Sequence, residues 1–335
     1  MSDFASLKST LKRGALVAAA NWPVIAIQFL AEAVFKVLLG VPIVGGILLV
    51  AALLGRSLQE MLGGSAREMV ATIIDALADH PVALGSFLLA LGVVVLGGSA
   101  FTFLVKGGTV SVLVRGSDVA GAVERPPLRM GALRRASAFS VDQFTEGCAR
   151  LFRRYLRLGL FLLAAYAASV GAYLAGLALA YRLAESGQLI VRWSVVVALA
   201  STVLVAWITL VNLFYLLTQM VTAAEDCSVR SATVRVAAFV GRKRRQVALV
   251  FGVLLVLVTL ATIASMLATA GLGLVSFVPL VGLAVLPLQA AAWLVRGLMF
   301  QYLGLTALGA YVSLYRPADT ASAGDAHRTW VRTAS

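Results

Sequence analysis

Residues 22–54 read WPVIAIQFLAEAVFKVLLGVPIVGGILLVAALL. A helix rising about 1.5 Å per residue needs only about 20 apolar residues to cross a bilayer, so this run is long enough for one kinked crossing and nearly long enough for two. Gly40, Pro42, Gly45 and Gly46 lie in its middle, where proline removes a backbone donor and glycine weakens the helix. The choice fixes everything downstream, because a second crossing here would move every later loop to the other side of the membrane. The distribution of charge decides it.

Beyond this run, apolar stretches near 81–105, 156–181, 194–221, 247–272 and 281–314 complete six spans. The 335 residues are 61% hydrophobic and only 13% charged, with a mean hydropathy of +0.95, which excludes an ordinary soluble domain. With the first run read as one bent span, 22 of the 28 Lys and Arg fall on one side. They lie before residue 22, between Lys106 and Arg157, between Arg230 and Arg245, and in the tail. Arg56, Arg67, Arg182 and Arg192 fall on the other side, and Lys36 and Arg296 within spans. By the positive-inside rule both termini are then cytoplasmic.

The expected fold is therefore an all-α integral membrane protein, a bundle of six transmembrane helices with amphipathic interfacial helices. Residues 1–316 form a single membrane domain and 317–335 a disordered cytoplasmic tail, polar and without an apolar face. Abundant Ala, Gly and Arg with only five Lys point to a GC-rich bacterium and hence to its inner membrane. The start, with Lys8, Lys12 and Arg13 before Gly14–Ala20, has the outline of a signal peptide, but the apolar run continues to Leu54 and is read as uncleaved. Cys148 and Cys227 both fall in cytoplasmic segments and are expected to be reduced.

Three segments outside the spans have helical periodicity. Ser65–Asp79 sets Met69, Ile73 and Leu77 among charges and is expected to lie on the outer surface. Arg134–Arg154 aligns Phe139, Phe144, Cys148, Phe152 and Tyr155, and ends in Arg150, Arg153, Arg154 and Arg157. Ser228–Arg245 repeats the scheme, with Val229, Val236 and Phe239 before Arg242, Lys243, Arg244 and Arg245. These eight cations are the candidate contacts for anionic lipid headgroups, and with a net charge of +13 the expected polyanion is the lipid surface and not nucleic acid.

Polar side chains within spans are costly and therefore informative. Asn21, Gln28, Glu32 and Lys36 share one face of the first span, with Glu32 placed to pair with Lys36 in the favourable order. Thr202, Thr209, Asn212 and Gln219 form a stripe on the fourth span, and Gln289, Trp293 and Arg296 one on the sixth. Lys36 lies about 21 Å from the start of its span and Arg296 about 27 Å from the inner end of its own. At comparable depth, these stripes form either a structural network tying the first, fourth and sixth spans together or a site with one net positive charge for a carboxylate or phosphate. Ala164, Ala168, Ala172, Gly176 and Ala180, and likewise Ala261, Ser265, Thr269 and Gly273, recur every four residues and are expected to pack helices within the monomer, with dimerisation the alternative.

Catalysis is not expected. The chain has no H-E-x-x-H or G-x-S-x-G motif and no histidine in a span to serve as a base. Its two histidines, His80 and His327, form no metal-binding spacing, Gly97-Gly98 and Gly107-Gly108 lack a nucleotide-binding context, and no cofactor is expected. Glu225 and Asp226, being adjacent, point to different sides or cap the segment that follows.

Glu225-Asp226-Cys227-Ser228-Val229 leading to Ala232, and the last span with Pro287, Arg296, Tyr302, Tyr311 and Tyr315-Arg316, carry a resemblance. In layout the chain resembles a bacterial six-span family, the membrane domain associated with glycerophosphodiester phosphodiesterases and related uncharacterised proteins. The phosphodiesterase catalytic domain has no counterpart here, so the resemblance implies a membrane module and not that activity. The function expected is a non-catalytic multi-pass accessory or scaffold protein whose basic cytoplasmic face binds anionic lipid or a protein partner. The alternative is a transporter or lipid-handling protein for an anionic small molecule or lipid that uses the intramembrane polar residues.

Overall fold

A computed structural model of the chain describes residues 2–54, 80–121, 123–124, 130–183, 189–276 and 281–316. Among these residues there are eight helices and no strand: α1 (Ser2–Ala20), α2 (Trp22–Leu54), α3 (Pro81–Val119), α4 (Met130–Ala136), α5 (Val141–Leu183), α6 (Leu189–Ala224), α7 (Val229–Ser276) and α8 (Val281–Tyr315). Six of them, α2, α3 and α5–α8, are long and apolar enough to span a bilayer. The chain is a multi-pass, all-helical membrane protein. The expected surface helix at 65–79 and the tail at 317–335 lie outside the described residues.

The chain divides into two compact units, Ile27–Val105 and Met1–Ala26 with Lys106–Ser335. In the first, α2 continues as one helix through Pro42 and pairs with the first half of α3. The Phe35 ring occupies the space a Cβ on Gly98 would need, and the Phe87 ring that of Gly46. As the position rises along α2 it falls along α3, so the two run antiparallel. Glycine's lack of a side chain is what lets the rings lie against the facing backbone.

In the second unit, α1 lies along α8 and α8 along α7, while α5 packs on α6 and α6 on α7. The second half of α3 meets α5 where Gly107 and Gly108 face Gly147 and Cys148. Large fully buried side chains such as Leu113, Leu151, Tyr155, Met220, Leu308 and Tyr311 lie towards the C-terminal ends of α3, α6 and α8 and the N-terminal end of α5, the level at which the basic residues between 106 and 157 and between 230 and 245 cluster. Further along, Leu174, Leu179, Val203, Leu257 and Leu267 are exposed, as suits surface facing acyl chains. The packed core therefore sits at the basic end of this unit.

The stretch before residue 22 forms the helix α1, and its Arg13 is buried at 7% exposure because the side chain turns onto the end of α3. Three expectations need correction. Asn21 does not join the polar face of Gln28, Glu32 and Lys36. Fully buried at the α1–α2 junction, it donates to Val17 O (2.9 Å) and Ala136 O (2.8 Å) and accepts from the Ala138 amide (2.9 Å). The segment Arg134–Arg154 is not one helix, because the chain leaves helical geometry over 137–140 before Ser140 caps α5 by accepting from the Gln143 amide (3.3 Å). Lastly, Ala164, Ala168, Ala172 and Gly176 on α5 are exposed and do not pack against neighbouring helices. α6 is met instead by the polar side chains Tyr166, Ser169 and Tyr173, which bond across to it.

Candidate functional site

The carbonyls of a helix's last turn have no partner within the helix and carry its negative dipole end, so cations are favoured there. At the basic end of the larger unit, three helix ends each receive one. Arg13 donates to Ser117 O (2.9 Å) and to Gly121 O at the end of α3, and forms an ion pair with Glu124 (3.1 Å), to whose carbonyl Lys12 also donates (2.8 Å). Gly121 accepts this role in the left-handed conformation, φ 60°, that favours glycine after a helix. Arg316 donates to Ala224 O at the end of α6 and pairs with Asp118 of α3 (3.0 Å). Lys243 donates to Leu314 O at the end of α8 (2.7 Å) from a break in helical geometry within α7 (φ −116°, ψ 28°).

The α6–α7 turn completes the network. Asp226 adopts a left-handed backbone (φ 48°) and accepts from Arg154 (2.5 Å), with Arg150 4.0 Å away. Glu225 turns the other way, to Tyr315 of α8 and Arg235 of α7. The adjacent acids thus point to different partners, as their spacing required. Ser228 then caps α7, accepting from the Ser231 amide (3.3 Å). The result is a rigid platform in which Asp118, Glu124, Glu225 and Asp226 are all paired with arginines.

Beside the platform, α5, α6 and α7 enclose a cleft of about 850 Å³. Its walls are apolar side chains, with Phe161 and Leu162 from α5 and Leu210, Phe214 and Leu217 from α6. Two bonds fix the register of those walls: Tyr155 donates to Gln219 O (2.9 Å) and the Trp207 indole to Ser169 Oγ (3.0 Å). In that antiparallel register Arg157 is level with Thr218, and Trp207 lies about 16 Å further from the basic end, at 1.5 Å per residue. Arg157 and Arg230 line the basic end, both exposed and neither with an acid in ion-pair reach among the described residues.

The residues singled out by sequence are thereby distributed. Of the basic candidates, Arg150, Arg154 and Lys243 serve the platform, Arg157 lines the cleft, and Arg245 is engaged elsewhere in the protein. Arg153, Arg242 and Arg244 remain exposed, with no ion-pair partner among the described residues. Of the intramembrane candidates, Glu32 and Lys36 pair at 3.8 Å, and Gln28 is buried with no partner for its Oε1 among the described residues. These three belong to the Ile27–Val105 unit. Asn212, Gln219, Gln289 and Arg296 belong to the other. There Asn212 accepts from Tyr166, Gln219 is buried with no partner for its Nε2 among the described residues, Gln289 is engaged within the protein, and Arg296 lies 5.9 Å from the Phe300 ring centre.

The α6 stripe is divided too. Thr202 and Thr209 bond back to the carbonyls of Ala198 (2.8 Å) and Val205 (2.6 Å) of their own helix, while the Asn212 side chain bonds across to α5. Sequence reading missed Arg230 as a cleft residue. Its only signal was a position two residues after a helix cap, and nothing local reveals that it lines the same cleft as Arg157 of α5. No family model, no curated protein and no solved structure matches this chain.

Proposed function

We propose that the protein is a non-catalytic, membrane-integral accessory or scaffold protein whose basic face engages anionic lipid. The observation that carries this reading is the division of the cations at one end of the fold. Arg13, Arg150, Arg154, Arg235, Lys243 and Arg316 staple helix ends and acids together, while Arg153, Arg242 and Arg244 stay exposed around the platform. Each exposed cation near an anionic leaflet contributes about 1 kcal/mol of attraction, and a platform that does not rearrange loses little entropy on binding. In this reading the basic face is cytoplasmic and both termini lie on that side, by the positive-inside rule, and the membrane is a bacterial inner membrane, from the Ala-, Gly- and Arg-rich, Lys-poor composition. In layout the chain also resembles the phosphodiesterase-associated membrane domains.

Lipid retained through purification in mild detergent tests the reading. Anionic phospholipid should be enriched over its share of the host membrane, and Arg153→Gln/Arg242→Gln/Arg244→Gln should reduce that enrichment. Retained lipid of host composition, unchanged in the triple variant, contradicts it. The cleft supports a second reading, a protein that handles individual anionic lipid molecules, because an apolar channel with two arginines at one end fits one amphiphile.

A further inference from the structure

We infer that the α5–α6–α7 cleft is a binding site for a single anionic phospholipid, with one acyl chain along α6 and the phosphate between Arg157 and Arg230. The inference rests on the anionic-lipid reading above and adds to it a defined site and a ligand class. Three observations carry it. The cleft walls between Phe214 and Trp207 lie within the membrane-spanning part of α6, so what fills them must be soluble in hydrocarbon. The apolar length of about 16 Å suits an extended chain and not a compact solute.

The third observation is charge. The acids around the platform are held by other arginines, yet Arg157 and Arg230 both line the cleft with no acid of the described residues in ion-pair reach. Guanidinium groups favour phosphate through paired donors, and two on different helices can clamp one headgroup from both sides. A protein segment is the poorer occupant: buried in apolar surroundings, it would have to satisfy its own backbone as a helix, and a helix about 10 Å across does not fit between helices already in contact. Trp207, with its indole held by Ser169, is a reporter already in place at the deep end.

Quenching by lipids brominated on the acyl chain tests the site in full-length protein reconstituted into vesicles. Two single-tryptophan proteins are compared, one retaining Trp207 and one retaining Trp293, which is exposed on α8 and does not line the cleft. With brominated phosphatidylglycerol competing against unbrominated phosphatidylcholine, and the reverse, Trp207 should report about a tenfold preference for the anionic lipid, as expected of roughly 1.4 kcal/mol. Trp293 should report none. Arg157→Gln/Arg230→Gln should abolish the preference at Trp207, and so should Ala165→Phe, which keeps both arginines but fills the cleft. Equal quenching by both lipids at Trp207, or a preference that survives both variants, overturns the site. If the Arg153/Arg242/Arg244 triple variant still lowers bulk enrichment while Trp207 shows no preference, the site fails and the surface reading stands. If enrichment is absent as well, the surface reading fails too.

Discussion

Gly14 of α1 and Gly309 of α8 bring two helix backbones into direct contact. A Cβ placed on Gly309 would lie 3.0 Å from the Gly14 Cα, and one on Gly14 would lie 2.5 Å from Thr306 O and 2.6 Å from the Ala310 amide nitrogen. Backbone cannot move aside as a flexible side chain can, and the Tyr302 hydroxyl, donating to Ala15 O at 3.2 Å, fixes the same crossing. We predict that Gly14→Ala destabilises the protein by about 1–3 kcal/mol or more, the cost of overpacking a closed contact. Gly176, with open space around it, provides the control, and Gly176→Ala should be neutral or slightly stabilising. Thermal melting in one detergent compares the two, and equal melting temperatures would dissolve the crossing.

Arg13 is the least replaceable cation of the platform. It is buried, and its removal leaves Glu124 and the carbonyls of Ser117 and Gly121 without their charged donor. Arg13→Met, which keeps the apolar stem, should cost about 3–5 kcal/mol, as is usual when one member of a buried pair is lost. An urea or thermal midpoint within error of the parent would show that α3 does not depend on it.

Asp226 allows a finer test, because Asn tolerates the left-handed backbone that Asp226 adopts while abolishing its charge. Asp226→Asn should loosen Arg150 and Arg154 at a cost of about 1 kcal/mol or less, these side chains being partly exposed. The freed arginines should strengthen the response to anionic lipid. A weaker lipid response in this variant would mean that Arg154 must be held in place to act.

Glu32 and Lys36 are the clearest case of a pair legible from sequence, since four residues on a helix is the spacing at which side chains meet. The six spans were legible for the same kind of reason, as long apolar runs have few other uses. The choice between one and two crossings at Pro42 was decided by charge, and α2 does run through it as one helix. What could not be read is which side of each helix faces protein. In lipid, Ala164 and Leu174 are equally at home against acyl chains, so the small-residue stripe of α5 gave the wrong face. The burial of Arg13 could not be read because its partners, Ser117, Gly121 and Glu124, lie more than 100 positions away. Arg157 and Arg230 are separated in the same way, and only the fold of α5 against α7 makes them one feature.

The Glu32–Lys36 pair also yields a coupling prediction. Glu32→Ala leaves a cation without its partner in a membrane-spanning helix and should destabilise by about 1–3 kcal/mol, and adding Lys36→Ala should recover part of that loss. A double-mutant cycle showing additive effects would mean that the two do not interact.

The charge bias yields a prediction for orientation. Reporters fused after Arg245 and after Ser335 should behave as cytoplasmic, and one inserted near Ser186 as external. A cytoplasmic signal at Ser186 contradicts the assignment.

The central claim is that the exposed cations of a rigid basic face recognise anionic lipid, and its most direct measurement is the melting temperature of detergent-solubilised protein titrated with phosphatidylglycerol or phosphatidylcholine. A ligand that binds only the folded state at 100 times its dissociation constant adds about 2.7 kcal/mol. The account predicts a saturable rise with phosphatidylglycerol, little rise with phosphatidylcholine, and a smaller rise with phosphatidylglycerol in Arg153→Gln/Arg242→Gln/Arg244→Gln. Equal rises with the two lipids, or a rise with phosphatidylglycerol unchanged in the triple variant, would contradict it.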